Sequence, residues 1–182
     1  MVAVKDESTS QGPPDDAPDA DVRPESKTSP VGAAAGDVDY SLLYGRQRLA
    51  MVRLARLLTG SFEVAEEIAQ EAFLKLQLAP SVALSPEAYL RTIVTNLSRG
   101  HLRRLRLERA LLPEGRIVHP APEIDETWAV VCGLPFRQRA VLALRYYEDL
   151  PEAEIAQLLG CRLGTVKSSH HRALAALRRK LS

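Results

Sequence analysis

Side chains between Thr165 and Arg179 place hydrogen-bond donors and positive charge at helical spacing. Thr165, Lys167, Ser168, His171, Arg172, Arg178 and Arg179 recur opposite an apolar row made of Leu163, Val166, Ala173 or Leu174, and Leu177. Cations of this kind neutralise phosphates, and short hydroxyls, imidazole and guanidinium groups can read base edges in a groove. A second cationic row comprises Arg91, Arg99, His101, Arg103, Arg104, Arg106 and Arg109. A repeating arginine run neutralises phosphates without specifying sequence. Alternatively it is a surface helix whose C-terminal cations suit the helix dipole, although seven positions exceed that need. Catalysis is not on offer. His101, His119, His170 and His171 make no ligand spacing with Cys132 or Cys161, and no glycine-rich phosphate loop or nucleophile motif occurs. No enzyme activity, metal or cofactor is expected.

The elements that must position these side chains can be read from periodicity. Pro151 suits the first helical position, and Ala153, Ile155, Ala156, Leu158 and Leu159 form the apolar side of a short helix. Gly160 should end it in the left-handed conformation. A turn, Gly160-Cys161-Arg162, leads into the cationic helix. Two helices joined by a three-residue turn describe a helix-turn-helix, whose second helix puts its N-terminal half against base edges. An amphipathic helix in a plain bundle has the same periodicity, but the glycine turn and the one-sided cationic face occur together here. Pro135 to Tyr147 reads as a supporting helix, with order restarting near Thr127.

Upstream, Leu42, Leu43, Leu49, Val52, Ala55 and Leu58 predict a helix ending at Thr59-Gly60. A second helix starts after Ser61, a natural N-cap. Its apolar side is Val64, Ile68, Ala72, Phe73 and Leu76, and its other side is acidic through Glu63, Glu66, Glu67, Gln70 and Glu71. Taken alone, a charged helix face is merely solvated. Ser85-Pro86-Glu87 opens the arginine-rich helix, with Tyr89, Leu90, Ile93, Val94 and Leu97 on the buried side.

Composition is uneven along the 182 residues. Residues 1–39 hold nine acidic and three basic side chains, whereas the remainder holds 14 acidic and 21 basic. The near-neutral total of +1 thus hides an acidic tail on a basic body, and a basic body suits a polyanionic partner. Residues 1–38 are rich in Pro, Asp, Ser, Ala and Gly, too poor in apolar surface to offset ordering entropy, and are expected to be disordered. The tail is either a regulatory mimic of nucleic-acid charge or a solvated extension. Residues 111–125, with three prolines and a glycine, read as a linker. Two cysteines give neither a disulfide framework nor a zinc site. No apolar run reaches the roughly 20 residues that span a bilayer. No secretion signal is visible either, so membrane insertion is not expected and a cytoplasmic location is.

The run LPFRQRAVLALRYYEDLPEAEIAQLLGC, continuing through GTVKS and HRALAALR, resembles region 4 of the extracytoplasmic-function sigma factors, initiation subunits that direct bacterial RNA polymerase to promoters. Its LRYYEDL and HRALA wording is similar to an actinobacterial, sigma-E-like subgroup. Arg162 stands where the family often has a serine cap, and Ser169-His170 replaces the commoner arginine-leucine, placing a histidine on the buried stripe. YGRQRLAMVRLARLLTGSFEVAEEIAQEAFLKLQ is similar to the first half of sigma region 2. The resemblance implies that Glu66, Glu67, Gln70 and Glu71, with Phe73 behind them, dock on core RNA polymerase. It implies that Asn96 captures a base of the opened −10 element, with Arg99, Arg103 and Arg104 on its DNA. Thr165, Lys167, Ser168, His171 and Arg172 are then expected on the −35 element.

The sequence therefore predicts an all-α chain: an acidic tail (1–38), sigma region 2 (39–110), a flexible linker (111–125) and sigma region 4 (126–182). Its partners are core RNA polymerase and promoter DNA; whether an anti-sigma protein also binds is left open. The rival reading is a helix-turn-helix regulator that is not a polymerase subunit. It does not need the arginine-rich first domain or the acidic helix.

Overall fold

The computed structural model describes residues 39–79, 85–111 and 126–181, and among these every regular element is helical. The expected tail lies outside the described residues, as does the expected linker apart from Leu111, which is the last residue of a helix.

The first unit contains α1 (Tyr40–Thr59), α2 (Phe62–Leu78) and α3 (Pro86–Leu111). Each begins with a side-chain cap that satisfies an otherwise unpaired backbone donor. An Asp39 carboxylate oxygen accepts from the Leu42 amide at 3.0 Å, and Ser61 Oγ from Val64 at 3.4 Å. Ser85 Oγ accepts from the Ala88 amide at 3.2 Å and donates to Glu87 Oε2 at 3.0 Å. Gly60 ends α1 at φ 86°, where a Cβ would be strained, and its amide closes on the Arg56 carbonyl. Met51, Leu54, Leu58, Ala65, Ala72, Leu76, Leu90 and Val94 fill the space between the three helices. Leu42, Leu49 and Tyr89, expected on the buried sides, are exposed instead. In α1 the core is built from Leu43, Met51, Val52, Leu54, Ala55 and Leu58, a stripe rotated from the expected one.

The second unit contains α4 (Glu126–Cys132), α5 (Phe136–Leu142), α6 (Glu152–Leu159) and α7 (Leu163–Leu181). The supporting helix does not run as a regular α-helix to Tyr147: Ala143–Tyr147 widen into a π turn. The Glu148 amide bonds the Ala143 carbonyl at 3.2 Å, five residues back, and Asp149 follows at φ 51°. Pro151 caps α6 from outside rather than occupying its first helical position. Gly160 takes φ 64° as expected. Its amide reaches the Gln157 carbonyl and that of Cys161 reaches Ala156, the crossed pair of a Schellman turn. Arg139 is buried beside these helices, with one guanidinium nitrogen donating to the Cys132 carbonyl at 2.9 Å.

The two units share one hydrophobic core. Val141, Leu144, Ile155 and Val166 lie in the same buried cluster as Leu54, Leu58, Leu90 and Val94. α1 packs on α4, α5 and the π turn, and α3 packs on α6. A smaller cluster of Leu134, Leu142 and Ala173, with Leu174, Ala176 and Leu177, fixes α7 from its other side.

Two hydroxyls in α3, on Thr95 and Ser98, are fully buried without a hydrogen-bond partner. Leaving such a group unsatisfied costs on the order of 1–3 kcal/mol. Thr95→Val and Ser98→Ala should each raise the midpoint of urea unfolding, by about 1 kcal/mol of stability, because they remove the orphaned oxygen while nearly keeping the volume.

Candidate nucleic-acid interface

In α7, Val166, Ser169 and Ala173 are buried, and Leu174 and Leu177 are half-buried. Leu163, expected at the head of this stripe, is 43% exposed. Ser169 is buried on this side too, and the histidine expected on the stripe is only half-buried, like Leu174 and Leu177. This His170 has its Nε2 2.9 Å from the Tyr146 hydroxyl, which ties α7 to the π turn. The opposite side is as the spacing predicts. Lys167, His171 and Arg172 are exposed, while Thr165 and Ser168 are half-buried. Ser168 Oγ donates to the Thr165 carbonyl at 3.1 Å, so an incoming acceptor must compete with the helix backbone. Farther along, Arg172, Arg179 and Lys180 rim a cleft of about 450 Å³ between α7 and the α4–α5 turn.

On α3 the four expected residues divide. Asn96, Arg103 and Arg104 are exposed side chains of the helix. Arg99 is exposed as well, but its guanidinium bends towards the second unit. Its guanidinium donates to the Leu159 carbonyl at 3.3 Å and stands 5.5 Å over the Phe136 ring. Arg91, on the same helix, pairs with Glu148 just beyond the π turn. Neither contact was visible in periodicity, because it depends on how the two units meet.

On α2, Glu67, Gln70 and Glu71 are exposed, and Glu71 is paired only with Lys75 one turn on, at 3.4 Å. Glu66 is half-buried and bridged to Arg48 at 3.1 Å, so the row of four is not uniform. Leu74 and Leu78 extend the same face, 60% and 81% exposed. Sequence reasoning passed over them, although they follow Glu67 and Glu71 at seven-residue steps and so lie on one side of the helix. Phe73 lies behind, edge-on to Tyr44 with centroids 4.8 Å apart.

Among the described residues no cluster of His, Cys, Asp and Glu could hold a metal ion, and no helix is long and apolar enough to cross a membrane.

A helix-turn-helix unit joined to a three-helix unit with an arginine-rich helix defines a class of all-helical chain. Residues 43–108 match the family described as sigma-70 region 2, and residues 124–177 match sigma-70 region 4. The ECF RNA polymerase sigma factor SigL of Mycobacterium tuberculosis is 31% identical over 162 residues, covering 81% of this chain and 92% of that protein. This chain belongs to the extracytoplasmic-function sigma factors. The RNA polymerase sigma-E factor of Streptomyces coelicolor is 37% identical over 105 residues, covering 52% of this chain and 57% of that one. The chain thus spans a little over half the length of such Streptomyces relatives. Among solved structures, the sigma factor RpoE of Bartonella quintana, in complex with the anti-sigma factor NepR, superposes with a TM-score of 0.64. The sequence identity is 23%, over 79% of this chain and 96% of that one, and shows the shared fold.

Burial raises the pKa of the Cys132 thiol above its ordinary value, against the opposing pull of Arg139 and Arg56. With Cys161 replaced by serine, Cys132 should therefore react with iodoacetamide more slowly than free cysteine at pH 7.5. Its rate should also climb at higher pH than the free thiol's, as stopped time-course mass spectrometry would measure.

Proposed function

We propose that this chain is a promoter-specificity subunit of bacterial RNA polymerase: region 2 docks on the core enzyme and opens the −10 element, and region 4 reads the −35 element. The observation that carries this over a simple helix-turn-helix regulator is the exposed face of α2. There Glu67, Gln70 and Glu71 continue into Leu74 and Leu78 with no partner element over them among the described residues. Acidic groups beside exposed leucines suit a basic helical partner, the charges giving orientation and rapid encounter and the leucines contact area. Family membership supports the assignment. Glu66 is placed at the margin of this face, since Arg48 already engages it.

Asn96 presents an amide that can both donate to and accept from one base edge, which suits capture of an unpaired base. Arg103 and Arg104 grip phosphates nearby. In α7, Thr165, Lys167, Ser168, His171 and Arg172 face the major groove of the −35 element, and Arg178, Arg179 and Lys180 reach only phosphates. Such a protein works in the cytoplasm, without metal or cofactor. An anti-sigma protein is a further partner suggested by the RpoE–NepR relative.

Glu67→Lys with Glu71→Lys should abolish co-elution with core polymerase and run-off transcription, while helix content by circular dichroism stays at the wild-type level. Normal co-elution of the double variant would overturn docking through this face, whereas failure of the wild-type chain to co-elute would return it to the class of independent regulators. Binding across a salt series then separates reading from gripping. Lys167→Ala or Arg172→Ala should lose about 1–3 kcal/mol of preference for cognate over scrambled −35 DNA. Arg179→Ala should weaken both DNAs alike and lower the salt slope by about one.

A further inference from the structure

Two helices of the first unit carry exposed stripes that agree in spacing and oppose in charge. On α1, Leu42, Arg46, Leu49 and Arg53 are exposed, and on α2 so are Glu67, Glu71, Leu74 and Leu78. Both sets advance by four, three and four residues. Such steps keep each set on one side of its helix, over about 16 Å of axis. Leu42 and Leu49 remain 49% and 55% exposed, although Leu43, Leu54 and Leu58 of the same helix are buried. Arg46 and Arg53 are cations without a counter-charge: the ion pairs among the described residues join Arg48 to Glu66, Lys75 to Glu71 and Arg91 to Glu148. Within the chain, α1 and α2 meet through the core that holds Leu54, Leu58, Ala65 and Ile68, so the two exposed stripes do not cover one another.

We propose that these stripes are the two halves of a self-association contact, the α1 stripe of one chain lying antiparallel on the α2 stripe of a second copy. In that direction Arg53 faces Glu67, and Arg46 and Arg53 flank Glu71. Leu42 meets Leu78, and Leu74 falls between Leu42 and Leu49. The parallel direction would instead set Glu67 against Leu42 and Arg53 against Leu78. Each chain offers one stripe of each kind, so the contact is heterologous. One helix on one helix is a small interface of the weak, transient class, and its exposed charges make it sensitive to salt. The contact rests on exposure, charge and spacing alone. Its consequence rests on the functional reading above: the α2 stripe is the face assigned to core polymerase, so a second copy and the polymerase compete for it. A crowded, unengaged population of the chain would then cover its own docking face.

Sedimentation equilibrium of the full chain, without DNA or polymerase, tests the contact across a concentration series from about 1 μM to about 1 mM, the span of weak association. The wild type should associate, less so as salt rises. Arg46→Glu with Arg53→Glu sets acidic residues against acidic ones, and Glu67→Lys with Glu71→Lys sets basic against basic. Either pair should weaken association about tenfold or more, with helix content by circular dichroism unchanged. All four substitutions in one chain exchange the signs of both stripes and should restore association, which a misfolded variant could not do. A wild type that stays monomeric throughout overturns the proposal. So does a reversal pair without effect, or a four-fold variant as monomeric as its parents.

Competition is read separately, with labelled core polymerase at a chain concentration where half of the wild-type contacts are formed. There Arg46→Glu with Arg53→Glu should bind core about twofold more tightly than wild type, the inverse of the uncovered fraction. Loss of self-association without that gain overturns the competition, and with it the placing of polymerase on the same stripe, while the contact between copies stands on its own measurement.

Discussion

Burial of Leu144, Ile155 and Val166 against Leu54, Leu58, Leu90 and Val94 is the constraint on which the other features depend. Neither unit is large. A three-helix unit and a helix-turn-helix of this size each bury a modest fraction of their apolar surface, and small domains are correspondingly marginal. Meeting across a common core lets each supply the face the other lacks. It also explains why polar groups at the seam are paired so closely: a charge drawn into a water-poor junction must bring its counter-charge along. Glu148 with Arg91 is the instance; buried Arg139 instead donates to the neutral Cys132 carbonyl, and its Nε has no hydrogen-bond partner among the described residues.

Charge is organised in the opposite way away from the seam. The acidic face of α2 and the cationic faces of α3 and α7 are exposed, and the ion pairs of α2, Glu71 with Lys75 and Glu66 with Arg48, are solvent-accessible. Exposed pairs of that kind contribute little to stability. The value of such exposed charge is to a partner, since a charged surface steers association and fixes its orientation. The chain thus keeps paired charges for its interior joint and single-signed rows for its outer surfaces.

Much of this was legible in the sequence, because caps, glycine turns and apolar periodicity are local. Asp39, Ser61, Gly60 and Gly160 behave as their residue types require, and the exposed cations of α7 fall where the spacing put them. Stripe edges were less secure. Leu42, Leu49, Tyr89 and Leu163 are apolar and helical yet exposed, because hydrophobicity alone does not say which neighbour covers a helix. The fate of Arg99 was not legible at all. Whether an arginine points to solvent or to a carbonyl 60 residues away depends on tertiary placement, and no local pattern encodes it. Leu74 and Leu78 were legible but overshadowed by the acidic residues they accompany.

The π turn at Ala143–Tyr147 has a consequence for tolerance to length change. A π turn accommodates one residue more than the regular helix would, so the chain beyond it is rotated by one residue's share of a turn, about 100°. Glu148 and Asp149 lie immediately after that offset, and Pro151 opens α6 only two residues later. Deleting any one of the five residues lets the helix close into regular geometry and swings this whole connection out of phase with α3. Conservative substitutions in the same stretch leave the phase intact. Natural variants of this segment should therefore keep its residue count, with the buried Ala143 and Leu144 held to small or apolar side chains and the exposed Arg145 and Tyr147 freer to change.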